Sequence, residues 1–119
     1  MDDFIETSLK PMVPEECKRL KIPPEFIIAI YPRINLPGSY CMPQTEGEKI
    51  IGVKLLLDEF SGFGDFFQEM KHAQQYFYGR QDRPLSEVEA HLYEFRRVAE
   101  ERLKRTYRKM KSYVRKQKN

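Results

Sequence analysis

The chain has 119 residues, 40% of them hydrophobic and 33% charged, with a net charge of +3 and two cysteines. This size and balance predict a single domain over 1–119 with a modest core, and exclude a disordered chain. No apolar run approaches the roughly 20 residues that span a bilayer, and "MDDFIETSLK" has no signal-peptide core, so a cytoplasmic protein with no membrane partner is expected. Cys17 and Cys41 form no Cys-x-x-Cys unit and are expected as reduced thiols.

The predicted elements begin in "PMVPEECKRLKIPPE", where a short helix from Pro14 to Leu20 carries proline in its first turn and Glu15 and Glu16 near its positive end. "FIIAIYP" is a β-prone run stopped by Pro32. A turn at Pro37-Gly38 precedes an extended piece around Tyr40 and Met42, and flanking Pro37 and Pro43 suit an edge strand because neither can donate to a ladder. After the turn "TEGEK", Lys49 to Leu57 form a third strand, apolar enough to be covered on both sides. From Phe63 the period changes. Phe63, Phe66 or Phe67, Met70, Ala73 and Phe77 recur every three or four residues, the pattern of an amphipathic helix ending before Gly79.

After "GRQDRP", Ser86 with Glu89 three residues on has capping-box spacing, while Pro84 offers an earlier start. The last helix carries Leu92, Phe95, Ala99, Leu103, Tyr107, Met110 and Val114 at steps of three and four, with Arg96, Arg97 and other basic residues between them. It is expected to run about 25 residues, with 111–119 a frayed basic tail, or to break once. Phe66, Phe67, Phe77, Leu92 and Phe95 are expected in the core. The fold class is therefore α+β: a three-stranded sheet, a short N-terminal helix, a central helix and a long C-terminal helix.

Charge is unevenly spread. Residues 1–60 hold seven Lys/Arg against ten Asp/Glu, whereas 61–119 hold fourteen against eight. From Arg96 onward there are eleven Lys/Arg and only two acids, Glu100 and Glu101. Such a helix is either a solvated face or a surface for nucleic acid or an acidic protein, bound without sequence preference.

The central helix contains Q-E-x-x-H, Gln68 to His72, one letter from the H-E-x-x-H of zinc peptidases. Positions 68 and 72 share one helical face. With histidine at both, two imidazoles would grip zinc and Glu69 would be placed as general base. "SEVEAH" offers Glu87 as a further ligand and His91 as a polar group one turn on. A surface Glu–His pair is the competing reading of the same letters.

The strand "IIGVKLLLDEF", the helix segment "QEMKHAQQYFYG" and "RPLSEVEAHLYEF" at the head of the next helix together resemble the minimal gluzincins, very small zinc metallopeptidases related to thermolysin. The resemblance covers nearly the whole chain. It implies a zincin-like scaffold that cleaves peptide or protein substrates with zinc as cofactor, His72 and Glu87 as ligands, and Glu69 as general base. His91 falls where the family often has an aspartate that orients a liganding histidine, so it stands as an orienting group or a substitute ligand. Gln68 is the departure, replacing the first histidine with a neutral, weaker donor. Either His91 fills the gap, or Gln68 binds weakly, or the site is a vacant relic and the protein an inactive peptidase. Tyr76, Tyr78 and Tyr93 are candidates to stabilise an oxyanion. The family also implies a zymogen-like form, with a terminal segment such as "KSYVRKQKN" lying in the cleft. A non-catalytic binding module using the basic C-terminal helix is the alternative.

Overall fold

A computed structural model describes residues 2–33, 38–58, 62–80 and 84–118. The expected turn at Pro37, the start of "SGFG" and residues 81–83 of the loop before the last helix lie outside the described residues.

The chain starts helical far earlier than the prolines suggest. An α-turn (α1, Asp2–Phe4) passes through a wide turn (Ile5–Leu9) and a tight one (Lys10–Met12) into α2, Val13–Leu20. Pro11 and Pro14 each sit in the first turn of their segment, where a missing N–H is no loss. Ile5, Leu9, Cys17 and Leu20 form the buried side of this stretch. At its end Lys21 takes a left-handed conformation, φ 59°, and the Ile22 N–H returns to the Cys17 carbonyl at 3.0 Å. That closing pattern usually takes glycine.

Three strands follow: β1 (Ile27–Arg33), β2 (Tyr40–Glu46) and β3 (Lys49–Asp58), in the order β1-β3-β2. β3 is central, parallel to β1 and antiparallel to β2. β2 joins it through a two-residue turn whose Gly47 has a φ of +65°. Pro43 sits in β2, the edge position expected for it.

Only one face of β3 is fully covered, against the expectation of two. Val53, Leu55 and Leu57 are buried, while Lys54, Leu56 and Asp58 between them are only partly so. The covering elements are the N-terminal helices and α3 (Phe63–Phe77), which buries Phe66, Phe67, Met70 and Ala73 against the sheet. Phe66, Phe67 and Met70 each contribute roughly 1.5–3 kcal/mol on burial. α3 ends as expected, with Gly79 at φ +70° and the Arg80 N–H on the Gln75 carbonyl at 2.7 Å. Its last turn also ties down α2: Gln74 Nε2 donates to the Leu20 carbonyl at 2.9 Å, and the Tyr78 hydroxyl donates to that of Lys21.

The last helix, α4, runs unbroken from Leu85 to Lys118, 34 residues. Here one alternative is decided and two expectations are corrected. The Pro84 carbonyl receives the first helical N–H groups, from Glu87 and Val88, so the helix starts there and Ser86 is not its cap. The segment 111–118 is helical rather than a frayed tail. Leu92 and Phe95 are 65% and 77% exposed, not core. The face that α4 turns to the body is instead Ser86, Ala90, Tyr93 and Arg97, all buried.

Arg97, expected on the solvated basic face, is 2% exposed. Its Nε donates to Glu16 Oε1 at 2.8 Å, its Nη1 to Glu100 at 2.7 Å and its Nη2 to Glu101 at 3.1 Å. The guanidinium also lies 4.7 Å from the centre of the Phe67 ring. Arg97 is buried because its counter-charges are buried with it.

Candidate active site

A cleft of about 140 Å³ opens between the start of β2, the middle of α3 and the first turn of α4. Gln68, Glu69, His72 and Tyr76 reach it from α3, Ser86 and Glu87 from α4, and Ser39, Tyr40 and Cys41 from the edge of the sheet. Helical spacing explains the α3 set, since positions 68, 69, 72 and 76 fall on one side of a helix.

Ser39 fixes the junction of the two layers. Its hydroxyl donates to Asp65 Oδ2 at 2.8 Å and accepts the Asp58 N–H at 3.0 Å. The beginning of α3 is thus held to the ends of β2 and β3, beside the cleft.

His72 is buried and its ring is held by Gln75. Nδ1 lies 2.8 Å from Gln75 Oε1. The Gln75 amide nitrogen donates to the Ser86 carbonyl at 2.9 Å and to Glu89 Oε1 at 3.3 Å. With its NH₂ so committed, Gln75 offers only its oxygen to the ring, which assigns the proton to Nδ1. The Nε2 lone pair then faces Glu87 Oε1 across 3.5 Å. Two donor atoms so placed are able to share one metal ion. Donors about 2.0–2.2 Å from one ion at a tetrahedral angle stand roughly 3.3–3.6 Å apart, so this separation suits zinc.

Glu69 lies behind this pair, 4% exposed. Its Oε2 has no hydrogen-bond partner among the described residues. Burial, reinforced by the charges of Glu87 and Asp65, pushes its carboxyl up to about 8. At neutral pH and without a cation nearby, the group therefore keeps its proton. Burial, with Glu69 as the neighbouring charge, also holds the Cys41 thiol well above its usual range.

The cleft does not receive every residue the sequence nominated. His91 is on the outside of α4, its side chain 63% exposed and 3.7 Å from Glu94, and it does not line the cleft. Tyr93 is buried elsewhere, its hydroxyl donating to Glu16 at 2.6 Å. Tyr78 closes the end of α2. Of the three tyrosines, Tyr76 alone lines the cleft. The segment 111–118 lies in the far part of α4, 24 or more residues beyond Glu87, or about 36 Å along a straight helix. It is not in the cleft of its own chain.

Gln68 lines the cleft one turn before His72. Among the described residues, no group of three His, Cys, Asp or Glu side chains is arranged to hold a metal ion. His72 and Glu87 fit such an ion and Gln68 adds only a neutral amide. Sequence reasoning did not name Gln75 as a support of His72, nor Ser39, Tyr40 and Cys41 as residues of the cleft. Gln75 was visible as a polar residue three positions after His72; the approach of the other three is a product of sheet order.

No protein-family model, curated protein or solved structure matches the chain. No described helix is long and apolar enough to cross a membrane.

Proposed function

We propose that the chain is a zincin-type metallopeptidase scaffold whose metal position has two full donors, His72 Nε2 and Glu87, and is weakened by Gln68. The observation that carries this reading is the oriented His72 ring facing Glu87 at 3.5 Å, with Glu69, whose Oε2 has no partner among the described residues, lining the same cleft. Zinc, when bound, would supply a Lewis acid for a peptide carbonyl and bring the pKa of water towards 7.

The chain's own residues do the remainder. The Gln75 amide holds the His72 ring in one orientation and one tautomer. The Glu69 carboxylate is the group that takes a proton from the attacking water and returns it to the leaving nitrogen. Its carboxyl, held up at about 8 by burial and by Glu87 and Asp65, would fall towards the range of a neutral-pH base if a cation were bound nearby. β2 is the edge of the sheet at Tyr40 and Cys41, so an extended peptide can add to it as a further strand. Pro43 has no N–H to offer such a peptide, which concentrates the contact on the cleft side of β2.

Zinc titration against a competing chelator tests the reading in the parent and in Gln68→His. The parent is expected to bind one zinc weakly, and the variant more tightly by at least about tenfold, because a full imidazole donor replaces an amide. Cleavage of a peptide library, with Glu69→Gln as control, then reads catalysis separately from binding. If neither protein takes up zinc, the proposal fails.

A further inference from the structure

The apolar residues that α4 does not turn to the body form a continuous stripe. Leu85, Val88, Leu92, Phe95, Leu103, Tyr107, Met110 and Val114 are each 50–77% exposed, and the small Ala99 stands at the middle. Eight steps cover 29 residues, or 3.6 residues per step, so the stripe runs parallel to the helix axis for about 43 Å. At 100° per residue it lies about 130° round from Ser86, Ala90, Tyr93 and Arg97, the face packed on the body. A second helix can therefore approach it without meeting its own chain's sheet.

Charge selects what that helix is. From Leu85 to Glu101, α4 carries five acids against Arg96 and Arg97, a net of −3. From Arg102 to Lys118 it carries nine Lys/Arg and no acid. The stripe continues across both halves. An anionic lipid surface or a nucleic acid would attract the second half, but would leave Leu85, Val88, Leu92 and Phe95 uncovered beside the acids of the first. A second copy in parallel would set nine cations against nine. A second copy in antiparallel sets each basic half against an acidic one.

The spacing fits that arrangement. With the crossing at Ala99, Leu85 meets Val114, Val88 meets Met110, Leu92 meets Tyr107, and Phe95 meets Leu103. Each pair occurs twice, as a two-fold interface requires. Ala99 opposes its own copy, where a small side chain allows close approach of the backbones. We infer that the stripe on α4 is the interface of an antiparallel homodimer of this chain.

Sedimentation equilibrium on the full chain is the first test, with association from 14.3 kDa to twice that mass expected as concentration rises. Phe95→Glu combined with Leu103→Glu should return the protein to single-copy mass with its circular dichroism unchanged. Both side chains are exposed in one copy, so the fold does not depend on them. Orientation is read by mild oxidation: Leu85→Cys with Val114→Cys should give a covalent dimer, and Leu85→Cys alone none. Cys17 and Cys41 are buried and do not compete. The inference is overturned by single-copy mass at every concentration, whether or not that species binds anionic vesicles or nucleic acid. It is equally overturned by a dimer that survives the double Glu substitution, or by a covalent dimer from Leu85→Cys alone.

Discussion

The two halves of α4 are one helix by geometry and two regions by chemistry. Residues 85–101 face the body, hold Ser86 and Glu87 to the cleft, and bury Ala90, Tyr93 and Arg97. Residues 102–117 are exposed throughout, although Arg105 still lies over the Phe63 ring, 5.3 Å from its centre. The first half is fixed by what it touches, and its buried Arg97 is neutralised by Glu16, Glu100 and Glu101. The second half keeps its charges in water, where each is screened and contributes little to folding. The contrast teaches that a basic residue's place in the sequence run says little about its role. Arg97 and Arg108 look alike in the chain and differ in nearly every physical respect.

Substitution of those two arginines is the sharpest way to break the contrast. Arg97→Ala leaves the buried Glu16 carboxylate with the Tyr93 hydroxyl at 2.6 Å and, among the described residues, only Arg19 at 3.9 Å as a cation. We expect a loss of about 3–5 kcal/mol in urea unfolding, the usual consequence of orphaning a buried charge. A loss below 1 kcal/mol would mean that the network is not what holds α4 to α2.

The pH dependence of stability probes Glu69 of α3, in the cleft that the first half of α4 helps to form. In the folded chain Glu69 keeps its proton up to about 8, against an ordinary value of 4.5. Between those values the folded state binds more protons than the unfolded one, so stability falls as pH rises through the window. Metal-free parent protein should therefore lose stability between pH 4.5 and 8 by on the order of a few kcal/mol relative to Glu69→Gln, which carries no such slope. Parallel curves for the two proteins, from thermal unfolding across the window, would count against a buried protonated Glu69.

The smallest effect belongs to the exposed half. Arg108→Ala should change stability by no more than about 0.5 kcal/mol, measured at a concentration where the chain is in single copies. A loss above 1 kcal/mol would show that this half is packed after all.

Much of the fold was legible in local pattern. The period of Phe63 to Phe77, the stop at Gly79 and the proline-marked edge strand follow from short-range sterics and hydrogen bonding, and the structure has them where the residues place them. The order of the strands was not legible, because it depends on which pairings the whole core permits. The helical run before Val13 was hidden by Pro11 and Pro14, whose effect reverses when they occupy first turns. α4 misled in another way: its apolar period was correct, but the body packs on the face carrying Arg97. A sequence cannot show that Glu16, 81 residues away, is there to meet it.

In the cleft, the meeting of Gln68, Glu69, His72 and Glu87 was readable from helical spacing and the order of elements. The Gln75 support of His72 and the position of His91 were not. Both depend on how α4 is rotated about its axis, which the identity of its buried face decides.

The length of α4 also shapes how the protein moves through solvent. The molecule extends 63 × 28 × 25 Å, with a radius of gyration of 16.4 Å, where a compact chain of this size would have about 13.5 Å. A single copy therefore drags as a larger sphere would, and elutes early from a column calibrated with round standards. Its elution volume imitates that of a compact pair, and only methods that weigh the particle, independently of its shape, can count the copies.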